Sequence, residues 1–118
     1  MAKSVDLRKI VMAIKEQKSL DADLSLEFDC MLEVEDHKNL VKSINYIINY
    51  CTELSDKKIY ISLNDQMQEF LLNISVNTVK TEFPPLSPQL SELLKEYDAK
   101  VELRSEAGKF AQVITTFM

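Results

Sequence analysis

The sequence predicts an α/β domain of the α+β kind, a two-layer sandwich in which three helices cover one face of a mixed, mostly antiparallel sheet of about five strands. Three segments repeat apolar residues at helical spacing, and five others alternate apolar with polar residues. Most strands follow one another across short turns, as in hairpins. With 118 residues the chain has the length of one domain, residues 1–118, with a single core.

The first half of the chain predicts a helix, a strand and a second helix. Apolar residues at helical spacing place the first helix at residues 5–18. A half-buried strand follows. In it, polar residues alternate with the apolar residues Leu24, Leu26, Phe28 and Cys30. Asp36 is a favoured N-cap for the second helix, residues 37–54. Its apolar stripe is Leu40, Val41, Ile44, Ile47, Ile48 and Cys51.

The second half predicts two hairpins with a helix between them. One strand of alternating apolar and polar residues ends near Leu63, and a second begins at Phe70. A turn at residues 64–68 separates them. A loop, residues 77–86, leads to Ser87 and Pro88, a cap and a first-turn proline that begin the third helix. Leu90, Leu93, Leu94 and Tyr97 form its buried stripe. The last strands, residues 100–105 and 110–117, turn through Gly108, giving the order α-β-α-β-β-α-β-β.

Composition excludes several classes of function. The net charge of −5 and the scattered basic residues argue against a nucleic-acid partner. No apolar run approaches the roughly 20 residues that span a bilayer, and the N-terminus has no apolar signal core. We therefore expect a cytoplasmic protein without a membrane partner. Cys30 and Cys51 lie in phase with apolar neighbours and are expected to be reduced core residues.

Gly108 is the single glycine of the chain. Loops that wrap a phosphate closely need glycine, because other residues carry a Cβ and resist positive φ. Gly108 is already required by the predicted last hairpin. The chain therefore offers poor material for a phosphate-binding loop.

Four strings, in the right order, resemble the ATP-binding domain of sensor histidine kinases, whose Bergerat-type fold is shared with gyrase and Hsp90-like ATPases. Val5-Asp6-Leu7 resembles the start of that domain's first helix, and Asp36-His37-Lys38-Asn39-Leu40 resembles the entry into its second. Asn45-Tyr46-Ile47-Ile48-Asn49-Tyr50 resembles the N-box, Asn-Leu-Leu-x-Asn-Ala. Residues 97–109 resemble the last hairpin. The resemblance spans nearly the whole chain and implies this fold and bacterial two-component signalling.

The same resemblance identifies candidate remnants of a nucleotide site. Asn49 falls on the N-box asparagine, which in the family coordinates the magnesium that bridges the phosphates. Asn45 lies one turn earlier on the same helix face. Thr78 stands where the family has the aspartate that binds the adenine amino group, and Lys80 and Glu82 replace the glycines of that motif. The alternative, which we favour, is that the two asparagines form a polar outer face that keeps the helix soluble.

The flexible lid and the second glycine box of the family are missing from the short segment before Ser87. In their place stands an irregular stretch, residues 77–87, whose apolar members Val79, Phe83 and Leu86 are candidates for contact with a partner. The alternative is that Phe83 and Leu86 fill the space that a nucleotide would occupy.

Two functions remain open. The first is a non-catalytic signalling or protein-interaction domain, a pseudo-ATPase without a cofactor. The second is a minimal kinase, ATPase or phosphorelay component that binds Mg–ATP through Asn49. We expect no catalytic residue and no metal site, because His37 is the single histidine and no cluster has metal-ligand spacing. The expected partner is a protein, and self-association is left open.

Overall fold

The computed structural model describes residues 3–67 and 69–117. Ten elements follow one another within them: β1 (Lys3–Asp6), α1 (Leu7–Gln17), β2 (Ala22–Leu26), β3 (Met31–Val34), α2 (Lys38–Leu54), β4 (Ile59–Gln66), β5 (Glu69–Asn77), α3 (Pro88–Lys95), β6 (Ala99–Glu106) and β7 (Phe110–Phe117).

Five of the strands form one mixed sheet in the order β2-β4-β5-β7-β6. Only β2 and β4 are parallel, because α2 crosses over between them, and the other neighbours are antiparallel. The predicted fold class, a two-layer α+β sandwich with a mostly antiparallel sheet and three helices on one face, is confirmed.

The core lies between the helices and the inner face of this sheet. Alternate residues of each central strand are fully buried, as the period of two in a half-covered sheet requires. Helix α2 supplies most of the opposing layer. Its buried apolar residues are Leu40, Ile44, Ile47, Ile48, Tyr50, Cys51 and Leu54.

The N-terminal part of the prediction was incomplete. Residues 5 and 6 do not belong to α1: they lie in β1, which pairs with β3 in a separate two-stranded sheet. Asp6 then caps α1, since its carboxylate accepts a hydrogen bond from the Arg8 amide at 3.0 Å. Strands of four residues are too short to show clear alternation.

The strand predicted to continue through Phe28 and Cys30 ends at Leu26. Asp29 has a φ of 63°, which turns the backbone out of the extended conformation. Phe28 is therefore 70% exposed and lies under the Arg8 guanidinium at 4.5 Å, a cation–π contact. Cys30 is nevertheless buried in the core, as predicted.

The turns and caps were predicted with mixed success. The turn was predicted at residues 64–68, which is too early, because β4 continues to Gln66. Gln68, the last residue of the predicted turn, lies outside the described residues. Ser87 caps α3 as predicted, accepting a hydrogen bond from the Gln89 amide, with Pro88 in the first turn. Gly108 has a φ of 75°, as its turn requires.

Both cysteines are free and buried. Burial raises the pKa of the Cys51 thiol to about 12. For Cys30, burial comes first and nearby carboxylates second, and both raise its pKa above the ordinary value. The thiolate is the reactive form, so we expect an aromatic disulfide reagent near pH 8 to label neither cysteine while the protein is folded. Labelling kinetics with and without guanidinium test this: fast reaction of Cys51 in the folded state would contradict its burial.

Candidate functional site

The candidate site lies where the chain leaves β5 and crosses the second half of α2. We call residues 78–87 the crossing segment. Four hydrogen bonds attach it to α2. The residues of the segment that take part in them are Thr78, Lys80, Pro84 and Ser87. Because these attachments are spread from one end of the segment to the other, its course over the helix is fixed.

Thr78 attaches the start of the segment to the end of the helix. Its side chain is 3% exposed, and its hydroxyl donates a hydrogen bond to the Leu54 carbonyl at 2.6 Å. That carbonyl belongs to the last turn of α2, where carbonyls lack partners within the helix. The same hydroxyl accepts a hydrogen bond from the Lys80 amide at 3.2 Å. Thr78 thus acts as a side-chain cap of α2.

Two tyrosines of α2 hold the far end of the segment. The Tyr50 hydroxyl donates to the Pro84 carbonyl at 2.5 Å, and the Tyr46 hydroxyl accepts from the Ser87 amide at 2.8 Å. Tyr50 is buried, and burial raises the pKa of its hydroxyl above the ordinary value. The hydroxyl therefore remains a hydrogen-bond donor throughout the physiological pH range.

The middle of the segment is attached on two sides. The Lys80 ammonium group donates to the Glu53 carbonyl of α2 at 3.2 Å. The Lys80 carbonyl accepts from the Gly108 amide at 2.7 Å, in the turn between β6 and β7. Lys80 thus joins α2 to the last hairpin.

A cleft of about 450 Å³ remains between α2 and the crossing segment. Its walls are Tyr50, Glu53, Leu54, Lys80, Glu82, Phe83 and Pro84. The carboxylates of Glu53 and Glu82 would repel a polyphosphate, and Lys80 is the single basic residue among the lining residues.

Asn49 and Asn45 have different environments. Asn49 is exposed on α2, and its side-chain oxygen accepts a hydrogen bond from the Lys18 ammonium group at 3.0 Å, just beyond the end of α1. Asn45 is half-buried. Among the described residues, no side-chain hydrogen bond joins either asparagine to Thr78, which instead contacts Leu54 in the last turn of the helix.

The three apolar residues proposed to contact a partner do not share one surface. Val79 is 78% exposed, whereas Phe83 and Leu86 are half-buried and pack against the core. Phe83 also lines the cleft. Val79 is therefore the apolar side chain of the segment most accessible to another molecule.

Sequence reasoning missed the polar role of the tyrosines. Tyr46 and Tyr50 were included in the N-box string, but only their spacing of four, one helical turn, suggested that they act together. Tyr97 was assigned to an apolar stripe. Its hydroxyl in fact donates to the Asp36 carbonyl at 2.7 Å and accepts from the Leu40 amide at 2.9 Å, at the start of α2.

A groove of about 540 Å³ lies elsewhere, between β1, α1 and the start of α2. Its lining is more apolar than that of the cleft, with Val5, Ile10 and Val41 below a rim that includes Lys9 and His37. Within residues 3–67 and 69–117, no three His, Cys, Asp or Glu side chains are grouped closely enough to hold a metal ion. Nor does any helix in that part of the chain have the length and apolar character needed to cross a membrane.

No protein-family model and no curated protein matches the chain. Solved structures do match it along almost its whole length. The catalytic domain of histidine kinase ThkA has a TM-score of 0.73 at 12% identity, with 99% of this chain and 95% of that chain covered. The histidine kinase domain of the E. coli osmosensor EnvZ has a TM-score of 0.74 at 9% identity, with 99% and 89% covered.

The mycobacterial sensor histidine kinase MprB has a TM-score of 0.74 at 8% identity, with 99% of this chain and 97% of that chain covered. ThkA has also been solved in complex with the response regulator TrrA. In that comparison the TM-score is 0.64 at 14% identity, and 98% of this chain but 41% of the kinase chain is covered. The chain therefore has the fold of the catalytic domains of histidine kinases, as its four sequence strings suggested.

Proposed function

We propose that the chain is a non-catalytic signalling or protein-interaction domain, built on the histidine-kinase ATPase fold, that does not bind Mg–ATP. The observation that carries this proposal is the attachment of the crossing segment to α2. In the family, by the resemblance of the sequence, this region supplies the glycine loop and the lid. Here the equivalent residues are engaged with the helix itself.

The adenine side of the site supports the proposal through Thr78. The family uses an aspartate there, whose carboxylate accepts from the adenine amino group. The Thr78 hydroxyl already donates to Leu54 and accepts from Lys80. It is also 3% exposed, so an adenine ring could reach it only if the segment left the helix.

The phosphate side supports it through charge and backbone. Lys80 and Glu82 stand at the glycine positions, and each carries a Cβ that hinders close approach of a phosphate to the backbone. Mg²⁺ prefers oxygen ligands, usually one or two carboxylates with water and phosphate. Asn49 offers one amide oxygen, which is occupied by Lys18. The residues present do not fit Mg–ATP.

Titration calorimetry with Mg–ATP and with Mg–ADP tests the proposal. We expect no saturable heat, and no rise in melting temperature when either nucleotide is added at millimolar concentration. A histidine-kinase catalytic domain with intact glycine boxes serves as the positive control. Micromolar binding of either nucleotide would overturn the proposal.

The second candidate function is a minimal nucleotide-binding domain that uses Asn49, and the position of Asn49 in the N-box string favours it. It predicts saturable nucleotide binding that Asn49→Ala abolishes without a change in melting temperature. Lys42→Ala, at an exposed position on the same helix but outside the candidate nucleotide site, is the control. If the unmodified protein binds no nucleotide, this candidate is excluded before any variant is made.

The partner we propose is a protein of a signalling pathway. The ThkA–TrrA complex supports this class of partner, because a kinase that contains a domain of this fold binds a response regulator there. On this chain the proposed contacts are Val79, which is exposed, and Phe83 and Leu86, which are half-buried and lie on a different surface. The net charge of −5 favours solubility and argues against a nucleic-acid partner, and we further propose a cytoplasmic setting.

A further inference from the structure

Strand β6 lies at one edge of the five-stranded sheet and is paired on one side, to β7. It is eight residues long, and its residues are half-buried or exposed. No other strand among the described residues lies on its outer side. A long edge with free N–H and C=O groups can pair with another chain unless something prevents it.

The direction of the backbone groups in β6 follows from the ladder next to it. The Thr78 amide donates to the Lys109 carbonyl at 3.0 Å, and these two residues are the pair next to Asn77 and Phe110 in the ladder. In an antiparallel ladder this makes Asn77 and Phe110 a non-hydrogen-bonded pair, so the N–H and C=O of Phe110 point toward β6.

Phe110 faces Glu106 in β6, and that pair is therefore a hydrogen-bonded one. The pattern alternates along the strand. Residues with even numbers direct their backbone groups to β7, and residues with odd numbers direct theirs outward. Val101, Leu103 and Ser105 thus present a row of free donors and acceptors at the edge of the sheet.

We propose that β6 pairs antiparallel with β6 of a second copy of this chain, about a two-fold axis at Leu103. Leu103 then faces Leu103 of the second copy, and Val101 faces Ser105. These pairs consist of the residues whose backbone groups point outward, so each forms the two hydrogen bonds of an antiparallel ladder. The two sheets become one, and a two-fold contact of this kind closes without further growth.

The charges on the outer face of β6 select this register. In it, Glu102 faces Arg104 of the second copy, and Lys100 faces Glu106. Symmetry doubles both pairs, so every charge on this face of the strand meets its opposite. Opposite charges directly across a ladder stabilise the pairing, and like charges destabilise it.

Neighbouring registers either set like charges against each other or form fewer pairs of opposite charge within the strand. An axis at Glu102 sets Lys100 against Arg104 and Glu102 against itself. An axis at Arg104 sets Glu102 against Glu106 and Arg104 against itself. An axis at Val101 keeps Lys100 with Glu102 but leaves Glu106 beyond the end of the ladder.

The charged side chains are free to change partners. Arg104 contacts Glu102 of its own strand at 3.3 Å, and Lys109 contacts Glu106 at 3.1 Å. The side chains of both pairs are more than half exposed. Exposed pairs of this kind contribute little to stability, so exchanging them for pairs between copies costs little.

Sedimentation equilibrium tests the proposal over a wide range of protein concentration. We expect the unmodified chain to form a concentration-dependent dimer. Arg104→Glu should weaken the dimer about tenfold, because it turns two attractive pairs into repulsive ones. The double variant Glu102→Arg with Arg104→Glu should restore dimerisation, because it swaps the charges within the same register.

Lys57→Glu is the matched control, since it makes the same change in net charge at an exposed position outside β6. It should leave the dimer unchanged. An unmodified chain that stays monomeric throughout, a double variant no tighter than Arg104→Glu, or an equal loss in Lys57→Glu would each overturn the proposal. The test does not involve nucleotide, so its outcome is independent of the proposed function.

Discussion

Replacing Ile48 with alanine is expected to lower the free energy of unfolding by about 2–5 kcal/mol. Ile48 lies in the third turn of α2 and is fully buried. Truncation removes the transfer free energy of its apolar atoms and leaves a cavity between helix and sheet, which the neighbouring strands can only partly close. Urea denaturation followed by circular dichroism gives the change directly.

Val41→Ala is the control for this variant. Val41 lies on the same helix but is half-buried, so its truncation removes less apolar contact and should cost about 1 kcal/mol or less. Equal losses from the two variants would contradict the packing of α2 on the sheet.

Replacing Tyr97 with phenylalanine removes only one oxygen atom. It is nevertheless expected to lower the free energy of unfolding by about 1–3 kcal/mol. Leu40 is in the first turn of α2, where amides have no partner within the helix. The Tyr97 hydroxyl supplies that partner and also binds the Asp36 carbonyl. Without the hydroxyl, a buried amide loses its acceptor.

Tyr60→Phe is the matched control for Tyr97→Phe. Tyr60 is 45% exposed, and within the described chain its hydroxyl has no hydrogen-bond partner. Its loss should change the free energy of unfolding by less than about 0.5 kcal/mol. If Tyr97→Phe is as mild as Tyr60→Phe, the hydroxyl does not hold the start of α2.

The fold could be predicted from the sequence because its large elements have regular patterns. The stripe of α2 and the alternation in β4 through β7 each extend over eight or more residues, long enough to define a period. Strands β1 and β3 are shorter than one full pattern. They were missed, and Phe28 was misplaced because a single positive φ at Asp29 ended the strand early.

The site could be predicted only in part. The scarcity of glycine was visible in the sequence and argued against a phosphate-binding loop. The attachment of the crossing segment to α2 was not visible, since hydrogen bonds such as that from Tyr50 to Pro84 join residues far apart in the chain. The direction of the Thr78 hydroxyl, toward Leu54, likewise depends on how β5 meets the end of α2.

We expect the crossing segment to remain on α2 in the presence of Mg–ATP, so that no nucleotide takes its place. The most direct test is to follow the assigned backbone amides of Tyr46, Asn49, Lys80, Ser87 and Gly108 by nuclear magnetic resonance during titration with Mg–ATP. We expect no saturable shift at any of them. Saturable shifts that converge on Asn49 and the crossing segment would contradict the account, because they would place a nucleotide where the segment now binds the helix.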